Sequence, residues 1–411
     1  MKNKLGMMVL WLMVLALAGA DTIYVVNSQS RTLSRIDTDT DLVQNSFCIL
    51  GNVPNKVIVG DNYLYVVNSG DNTIQKIDKS SGNTVATHLV ALSSNPWDAV
   101  LHEGYLYISG LFSSRVYKMD AETGEVLTSV EVGIAPEALL VADGKLYVTN
   151  SGDYTQNYAG SSVSVIDLNS WALLDTIEVG LNPQFLYLQG SKLHVSCTGN
   201  WTDLGGSVAV IDIDTDDVIQ NIELGATLGN IWIDQHDIAW VADNAGYYLY
   251  RYHSEDYTIL NGQDDPLAVA ASYVAGTSSY LAILEPNWGS NARVYLLDED
   301  LLQLKQYTVG MMPTDLKLQA SPSSQEDVLL PPVQVSLYPN PLNQGSKLWL
   351  KGLNNQSGTY KIYNLKGQLL KQGLVEGDSM QLETQDLASA CYICQIRTGT
   401  KSLSKKFVIL K

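Results

Sequence analysis

A repeat of about 40 residues constrains the fold of this chain more than any other feature of the sequence. Its marker is one position in a short apolar run, and consecutive markers are 41, 42, 40, 47, 46 and 42 residues apart. A fixed period in this range is typical of repeat arrays and propellers. The marker residues are Tyr24, Tyr65, Tyr107, Tyr147, His194, Trp240 and Ala282.

Each unit contains four short apolar runs in the same order. In the unit around Tyr147 these runs start at Pro136, Lys145, Ser162 and Ala172, and Gly, Asn, Asp or Ser separates them. Such runs predict strands, and no segment between residues 21 and 320 has a long helical period. Each unit is therefore predicted to be a four-stranded antiparallel meander, with strands a to d.

The b strand is apolar at consecutive positions, as in Ile23-Tyr24-Val25-Val26. This pattern indicates a strand buried on both faces, as when each small sheet lies between two neighbours. The radial arrangement of such sheets is the β-propeller. We therefore predict an all-β protein whose residues 21–320 form a seven-bladed β-propeller.

Turn residues recur at fixed places in the repeat. Most c strands end in Asp, which can accept a hydrogen bond from the backbone two residues on and so begin a tight turn. Most a strands are predicted to open with Pro, because no ladder donor is lost at the first residue of a strand. The aspartates are Asp37, Asp78, Asp120, Asp167, Asp212 and Asp298, with His253 as the exception, and the prolines are Pro54, Pro96, Pro136, Pro183, Pro266 and Pro313, with Leu228 in the remaining unit.

The order of the strands predicts how the ring closes. The first unit starts with its b strand, Thr22 to Asn27, and its a strand is missing. A surplus a strand, Pro313 to Gln319, lies at the far end of the repeats. We expect this segment to pair with the strand that contains Tyr24, which would remove two exposed sheet edges.

The run Tyr147-Val148-Thr149-Asn150 resembles the signature of the YVTN β-propeller repeat family, and the units of residues 22–320 are similar to that family throughout. The resemblance implies the fold. It does not imply a function, because function depends on sites that differ among proteins of one fold.

Residues 1–20 have the pattern of a signal peptide. Lys2 and Lys4 precede an apolar core, and Ala18-Gly19-Ala20 is a small-residue cleavage site, so cleavage is predicted between Ala20 and Asp21. The apolar core is shorter than the roughly 20 residues that a membrane span needs. No later segment is predicted to span a membrane.

The four cysteines are predicted to be buried thiols without a disulfide. Cys48 and Cys197 belong to different repeat units. Cys391 and Cys394 have the spacing of a redox motif, but no βαβ pattern surrounds them, and residues three apart on a strand point to opposite faces.

Residues 321–332 are polar and rich in turn residues, and they are predicted to be a linker. The charge changes across it: residues 334–411 carry a net charge of +6, whereas the whole chain carries −18. Such an asymmetry predicts two domains with different partners. Residues 333–411 contain strand-like runs separated by Asn, Gly and Ser, and are predicted to form a small Ig-like β-sandwich.

The motifs of this last segment occur in a recognisable order: Tyr338-Pro339-Asn340-Pro341, then a turn with Gly367, then Tyr392, then a basic and apolar C-terminus. The segment resembles the type A C-terminal sorting domain of the Por (type IX) secretion system, although Ala390-Cys391 stands where that family has Gly before the late Tyr. The resemblance implies that the secretion machinery is a partner. It also implies export through the periplasm to the outer surface of a Gram-negative bacterium, or secretion.

No catalytic or metal-binding motif is present in the sequence, so no catalytic residue, cofactor or metal is expected. His194 replaces the repeat tyrosine and is expected to pack in the core. Two Asp-rich segments, 37–41 and 212–216, resemble the start of a calcium loop but lack its Gly and Glu, and they lie where the repeat already predicts a turn. Nucleic-acid binding is disfavoured, because an acidic propeller repels phosphate.

The expected binding surface lies on the side of the ring that carries the b–c and d–a loops. The two longest steps of the repeat come from inserted b–c loops, 151–161 and 198–206. Large aromatic residues in exposed loops indicate a partner, although the same rings could instead cap the ends of the core. The candidate ligand-binding residues are Trp97, Asp153, Tyr154, Tyr158, Trp201, Asp203, Glu285 and Trp288.

Three functions fit these features. The first is a non-enzymatic binding protein for a neutral or basic glycan, a peptide or a surface protein. The second is an extracellular hydrolase or lyase that acts at the mouth of the channel, and the third is a structural spacer at the cell surface. If the carboxyl groups of Asp153, Asp203 or Glu285 converge on a pocket with a raised pKa, the enzyme is favoured.

Overall fold

The structure is a computed structural model, and it describes residues 21–320, 336–351, 358–364, 368–375, 379–382, 384, 386–398 and 401–411. The described residues form two compact units, one within residues 19–321 and one within residues 322–411. The predicted signal peptide with Ala20, the predicted linker and Gly367 lie outside the described residues. Asp21 lies just before the first strand.

The first unit consists of seven four-stranded antiparallel sheets within its described residues, here numbered I to VII. Sheets I to III contain, in chain order, β1 (Thr22–Asn27), β2 (Thr32–Asp37), β3 (Leu42–Ile49), β4 (Pro54–Val59), β5 (Tyr63–Asn68), β6 (Thr73–Asp78), β7 (Thr84–Leu89), β8 (Pro96–His102), β9 (Tyr105–Gly110), β10 (Arg115–Asp120) and β11 (Val126–Glu131).

Sheets IV to VII follow the same pattern, and the last strand of the unit returns to sheet I. Their strands are β12 (Pro136–Ala142), β13 (Lys145–Asn150), β14 (Ser162–Asp167), β15 (Ala172–Glu178), β16 (Pro183–Gln189), β17 (Lys192–Cys197), β18 (Ser207–Asp212), β19 (Asp217–Ile222), β20 (Leu228–Ile233), β21 (Ile238–Asp243), β22 (Leu249–His253), β23 (Ile259–Asn261), β24 (Tyr273–Gly276), β25 (Leu281–Glu285), β26 (Asn291–Leu297), β27 (Gln303–Met311) and the closing strand β28 (Pro313–Gln319).

The predicted closure of the ring is confirmed. The closing strand β28 pairs antiparallel with β1, with Val25 opposite Leu316 and Tyr24 opposite Lys317. The first strands of neighbouring sheets contact one another in a closed cycle, from β28 through β4, β8, β12, β16, β20 and β24 back to β28. The unit is therefore an all-β, propeller-like ring with the first strand of each sheet innermost.

The second strand of each sheet supplies most of the core. Five consecutive residues are buried in β1, and the same pattern occurs in β5, β9, β13, β17 and β21. Tyr24 and Val26 pack with Leu64 and Val66 of the next sheet. Because fully burying such an aliphatic side chain contributes about 1.5–3 kcal/mol, the contacts between sheets stabilise the ring.

Several of these second strands end in Asn, and the Asn side chain lies against a glycine in the loop that precedes the first strand of the same sheet. A Cβ atom on Gly51 would lie 2.8 Å from the Asn68 side chain, and one on Gly133 would lie 2.5 Å from Asn150. The Gly51 N–H also donates to Asn68 Oδ1 at 3.1 Å. Glycine is therefore required where the loop passes over the end of the strand.

The predicted aspartate turns are confirmed. Asp37, Asp78 and Asp212 each accept a hydrogen bond from the N–H two residues on, at 3.2, 3.2 and 2.9 Å. The exception in the repeat, His253, accepts one in the same way through Nδ1, from the Glu255 N–H at 3.4 Å.

One strand start was predicted wrongly. The first strand of sheet VII begins at Tyr273 and not at Pro266. The preceding strand β23 has only three residues, and Leu267 instead forms an isolated bridge with Leu249 of sheet VI. The segment around Pro266 therefore pairs with sheet VI, and sheet VII begins only at Tyr273.

The second unit contains two sheets that share one core. A three-stranded sheet has the order β29-β31-β34, and a five-stranded sheet has the order β30-β36-β35-β32-β33. The sequence did not predict the two short strands β29 and β30, which flank the Pro-rich motif. The strands are β29 (Ser336–Tyr338), β30 (Leu342–Asn343), β31 (Leu348–Lys351), β32 (Gly358–Asn364), β33 (Leu369–Val375), β34 (Ser379–Leu382), β35 (Cys391–Thr398) and β36 (Lys401–Leu410).

Two residues of the predicted sorting motif hold the last strand of this unit. Asn340 Nδ2 donates to the Lys406 carbonyl at 3.0 Å, and Asn340 Oδ1 accepts from the Val408 N–H at 3.0 Å. The buried Tyr392 ring stacks on Phe407 with centroids 5.4 Å apart. Pro339 and Pro341 lie in the exposed turn around Asn340.

All four cysteines are free thiols, as predicted, and Cys48, Cys197 and Cys394 are buried. Cys391 is only half-buried, because it faces away from the core that Cys394 joins on the same strand. Within the described ranges, no helix has the length and apolarity to cross a membrane.

Candidate functional site

A cavity of about 550 Å³ opens where the innermost strands of the ring begin. It combines two tryptophans, several side-chain amides and four charged groups. Its polar and aromatic lining includes Arg31, Asn52, Asn55, Lys56, Trp97, Asp98, Glu137, Gln184, Tyr273, Asn244, Asn287 and Trp288.

The local structure of the first strands explains how these side chains reach the cavity. In sheets II to V the strand opens with Pro, and a bulge or register shift follows at once, as between Pro136 and Leu139. A bulge bends the strand and re-aims its side chains. The polar residues that follow the proline therefore line the mouth of the ring, as Lys56, Asp98 and Glu137 do.

Lys56 and Asp315 form a buried ion pair beneath this mouth. Lys56 Nζ lies 3.6 Å from Asp315 Oδ1, and the Asp315 side chain is fully buried. The other oxygen, Oδ2, accepts a hydrogen bond from the Val57 N–H at 3.0 Å. The ammonium also lies over two rings, 5.1 Å from the centroid of Phe185 and 5.2 Å from that of Tyr273.

Burial lowers the pKa of Lys56, but Tyr273, Asp315 and Asp98 outweigh it and raise that pKa to about 12. The pKa of Tyr273 is itself raised by burial, so Tyr273 is uncharged at neutral pH. Nearby Tyr273 and Asp315 also raise the pKa of Lys317. Both lysines therefore stay charged inside the ring.

A single hydroxyl connects the backbones of Asp98 and Glu137. Ser109 Oγ donates to the Glu137 carbonyl at 2.6 Å and accepts from the Asp98 N–H at 3.1 Å. Because this hydroxyl lies at the end of β9, it fixes two neighbouring first strands in one register. The two carboxyl residues consequently stand side by side at the cavity.

Burial raises the pKa of both carboxyl groups. For Asp98 the lysines Lys56 and Lys317 oppose this effect. For Glu137 burial outweighs a hydrogen bond with Ser151 and the Lys56 charge, and its pKa rises to about 8. Glu137 therefore keeps its proton at neutral pH while only 6% of its surface is exposed.

The structure places the predicted ligand-binding residues in two groups. Trp97 and Trp288 line the cavity; the other six candidates do not. The sequence predicted Trp97 in a d–a loop. In the structure it is instead the second residue of β8. Tyr154, Trp201 and Trp288 are 78%, 46% and 60% exposed, so these three rings do not cap the core.

The two inserted loops contact each other beside the cavity. Asn200 Nδ2 donates to Asn157 Oδ1 at 2.9 Å. Burial and then nearby Glu137 raise the pKa of Tyr158, whereas a hydrogen bond with Trp201 lowers it. The loops thus bring Tyr158 and Trp201 close to Glu137.

The three carboxylates that the sequence singled out do not converge. Asp153 accepts from the Thr155 N–H at 2.9 Å, and hydrogen bonds with Thr155 lower its pKa. Hydrogen bonds with Asn200 and Thr202 lower the pKa of Asp203. Glu285 pairs with Arg293 at 3.2 Å. The sequence-based hypothesis of an enzyme that uses these carboxyl groups required them to converge on a pocket with a raised pKa. They do not, so that hypothesis is disfavoured.

Sequence reasoning missed Lys56, Asp98, Glu137 and Asp315. A signal was present, because a charged residue stands one or two positions after the recurring proline in four of these strands. Charged residues are almost never fully buried unless they are paired. Their position at the start of an innermost strand could have indicated a site.

Metal binding has no support in the described residues, where no group of three or more His, Cys, Asp or Glu could hold a metal ion. Asp37 and Asp212, of the two calcium-like segments, bond to their own turns instead. His194 is fully buried, and its Nδ1 lies 2.7 Å from the Tyr252 hydroxyl, so it packs in the core as predicted.

Comparison with known proteins identifies the second unit. A family model described as "Secretion system C-terminal sorting domain" matches residues 336–410. The match supports export through the type IX secretion system, to the cell surface or the surroundings, and agrees with the resemblance of the sequence.

Among solved structures, the chain is similar to Kuenenia stuttgartiensis Hydrazine Synthase, with a TM-score of 0.50 and 17% sequence identity over 60% of this chain and 77% of that chain. At this identity the likeness concerns the propeller-like fold alone. The comparison with curated proteins gave no match.

Proposed function

We propose that this protein is an exported binding protein in which a seven-bladed β-propeller of the YVTN type is joined to an Ig-like sorting domain. The signal peptide of residues 1–20 would carry it to the periplasm, and the sorting domain would engage the type IX secretion machinery. The propeller is then displayed on the cell surface or released. The sorting-domain match over residues 336–410 supports this route.

We infer that the cavity at the mouth of the ring is the ligand site. Ligand pockets combine apolar and aromatic walls with a few placed polar groups, and here Trp97 and Trp288 stand among Asn55, Gln184 and Asn244. Flat rings can stack on the C–H faces of a sugar, and amides can bond to its hydroxyls. The ligand classes that fit are a neutral or basic glycan, a peptide or a surface protein, because the acidic chain repels anions.

The presence of two tryptophans in one cavity carries this proposal, and a binding screen tests it. The full-length protein is screened on glycan and peptide arrays, and the affinity of the best ligand is measured for Trp97→Ala and Trp288→Ala. Loss of a centrally placed aromatic contact typically costs at least about 1–2 kcal/mol, so a loss of about tenfold or more is expected.

Phe112→Ala is the matched control, because Phe112 is 73% exposed and lies outside the cavity. It should bind like the wild type. Trp201→Ala tests whether the inserted loops extend the site, and it too is expected to weaken binding without lowering the melting temperature much. Equal affinity of all variants would show that the cavity is not the ligand site.

A second function, an extracellular hydrolase or lyase, is favoured by a different observation. Asp98 and Glu137 stand together at the cavity, and both carboxyl pKa values are raised by burial. A carboxyl that holds its proton near neutral pH can act as a general acid. If bound oligosaccharides are cleaved by the wild type but not by Glu137→Gln, this function replaces simple binding.

A further inference from the structure

The charges fixed inside the ring are matched in number. Lys56 pairs with Asp315 at 3.6 Å. Lys317 and Asp98 lie close enough that each shifts the pKa of the other toward the charged form. Two lysines and two aspartates thus lie close together beneath the cavity, so these lysines have carboxyl partners without a ligand.

The remaining cation at the cavity, Arg31, belongs to a second chain of contacts at the rim. Its Nη1 donates to Asn52 Oδ1 at 2.6 Å. Asn52 in turn donates to Asp71 through its side chain at 2.6 Å and through its backbone N–H at 2.7 Å. Asp71 therefore supplies a negative charge near Arg31.

Glu137 has no such counter-charge. Within the described part of the chain, no Lys, Arg or His lies within 4.0 Å of its carboxylate oxygens, so it has no ion pair. The groups that face it are Lys56 and Asp98 from the neighbouring first strands, Ser151 and Trp97, and Tyr158 from the inserted loop. Burial outweighs the Lys56 charge, raises the pKa of Glu137 to about 8 and so keeps the proton on this carboxyl at neutral pH.

A protonated carboxyl presents one O–H donor and still accepts hydrogen bonds. A hydroxyl group also donates and accepts, so the two are complementary. A charged ligand group would instead lose its water and find no free counter-ion at the cavity, which costs several kcal/mol per ion. The lining therefore favours an uncharged ligand rich in hydroxyls.

Building on the ligand site proposed above, we propose that the cavity binds a neutral saccharide and that the Glu137 carboxyl donates a hydrogen bond to one of its hydroxyls. Trp97 and Trp288 supply the stacking walls. Ser109 is a positioning residue, because it holds the backbone of Glu137 beside that of Asp98.

The test uses the full chain and an array of oligosaccharides of similar length that are neutral, basic or acidic: hexamers of N-acetylglucosamine and glucose, of glucosamine, and of galacturonic acid. Binding to a neutral member is expected, and the dissociation constant of the tightest neutral member is then measured at pH 6 and pH 9.5. Because the pKa of Glu137 is about 8, the carboxyl ionises across this range, and affinity should fall by about tenfold or more.

Glu137→Gln keeps a donor and an acceptor but cannot ionise, so its binding should be similar at both pH values. Glu137→Ala should bind at least about tenfold more weakly at pH 6. Glu131→Gln is the matched control, because that carboxyl is 82% exposed on the outer strand β11, and it should retain the pH dependence of the wild type.

The outcomes separate the two proposals. If Trp288→Ala abolishes binding but the ligand is charged, or if Glu137→Gln keeps the pH dependence, the cavity is the site and the neutral-saccharide inference is wrong. If a ligand binds equally well to Trp97→Ala and Trp288→Ala, the ligand site itself is wrong. Melting curves of each variant at both pH values establish that the compared molecules are folded.

Discussion

Lys56 and Asp315 lie 3.6 Å apart although more than 250 residues separate them in the chain. Lys56 belongs to the first strand of sheet II, and Asp315 belongs to the closing strand β28 of sheet I. Asp315 Oδ2 accepts a hydrogen bond from the Val57 N–H of sheet II at 3.0 Å, and Oδ1 faces the Lys56 ammonium. The pair thus joins the second sheet to the strand that completes the ring.

The first prediction concerns this pair. Removing one partner of a buried ion pair leaves an uncompensated charge and typically costs about 3–5 kcal/mol. Asp315→Asn and Lys56→Met should each destabilise the protein by this order. The double variant Lys56→Met, Asp315→Asn should regain much of the loss, and urea unfolding of the wild type, the two single variants and the double variant measures the coupling. Additive losses would contradict the pairing.

The second prediction concerns closure. A chain that ends at Gly310 lacks β28 and exposes the edge of β1, so it should unfold with poor cooperativity or aggregate. A chain that ends at Ala320 keeps the strand and is the control. Thermal melting followed by circular dichroism compares them, and matching transitions would refute a role for β28 in closure.

The third prediction concerns Glu137 and pH. Its folded pKa, about 8, is above the ordinary value of 4.5, so its stabilising contribution is fully present below about pH 4.5 and is lost as the pH rises through 8. The full loss is roughly 3–5 kcal/mol. The stability of Glu137→Gln relative to the wild type should therefore increase between pH 5 and pH 9. An equal difference at both pH values would contradict the raised pKa.

The fourth prediction concerns His194 and acid. Burial and then Lys192 lower its pKa to about 4 from 6.5, so its stabilising contribution is present above pH 6.5 and is lost as the pH falls through 4. Between pH 6.5 and pH 4, the wild type should lose roughly 3 kcal/mol more stability than His194→Gln does. His236→Gln, at an exposed position, is the control and should leave that sensitivity unchanged.

The fifth prediction concerns export. Deleting residues 334–411 should leave the first unit folded, because residues 19–321 form a compact unit of their own, but the shortened protein should remain in the periplasm. Cell fractionation with the full-length protein as control makes the comparison. Recovery of the shortened protein outside the cell would refute the sorting role.

The sequence by itself determined the all-β class, the repeat of four strands and the pairing of Pro313 to Gln319 with the strand that contains Tyr24. These features depend on local periodicity and turn residues, which act over a few positions. The sorting domain was also visible, because its motif residues occur in order. Pro266 misled the prediction, since a proline can open a strand but does not require one.

Only the tertiary structure decided which residues share the cavity. Trp97 and Trp288 were candidates, but Lys56, Asp98, Glu137 and Asp315 were not, and they come from four different first strands. Their pKa values and pairings depend on burial and on charged neighbours in other sheets. Such properties arise when the ring closes, because closure removes water from the innermost strands and brings their first residues together.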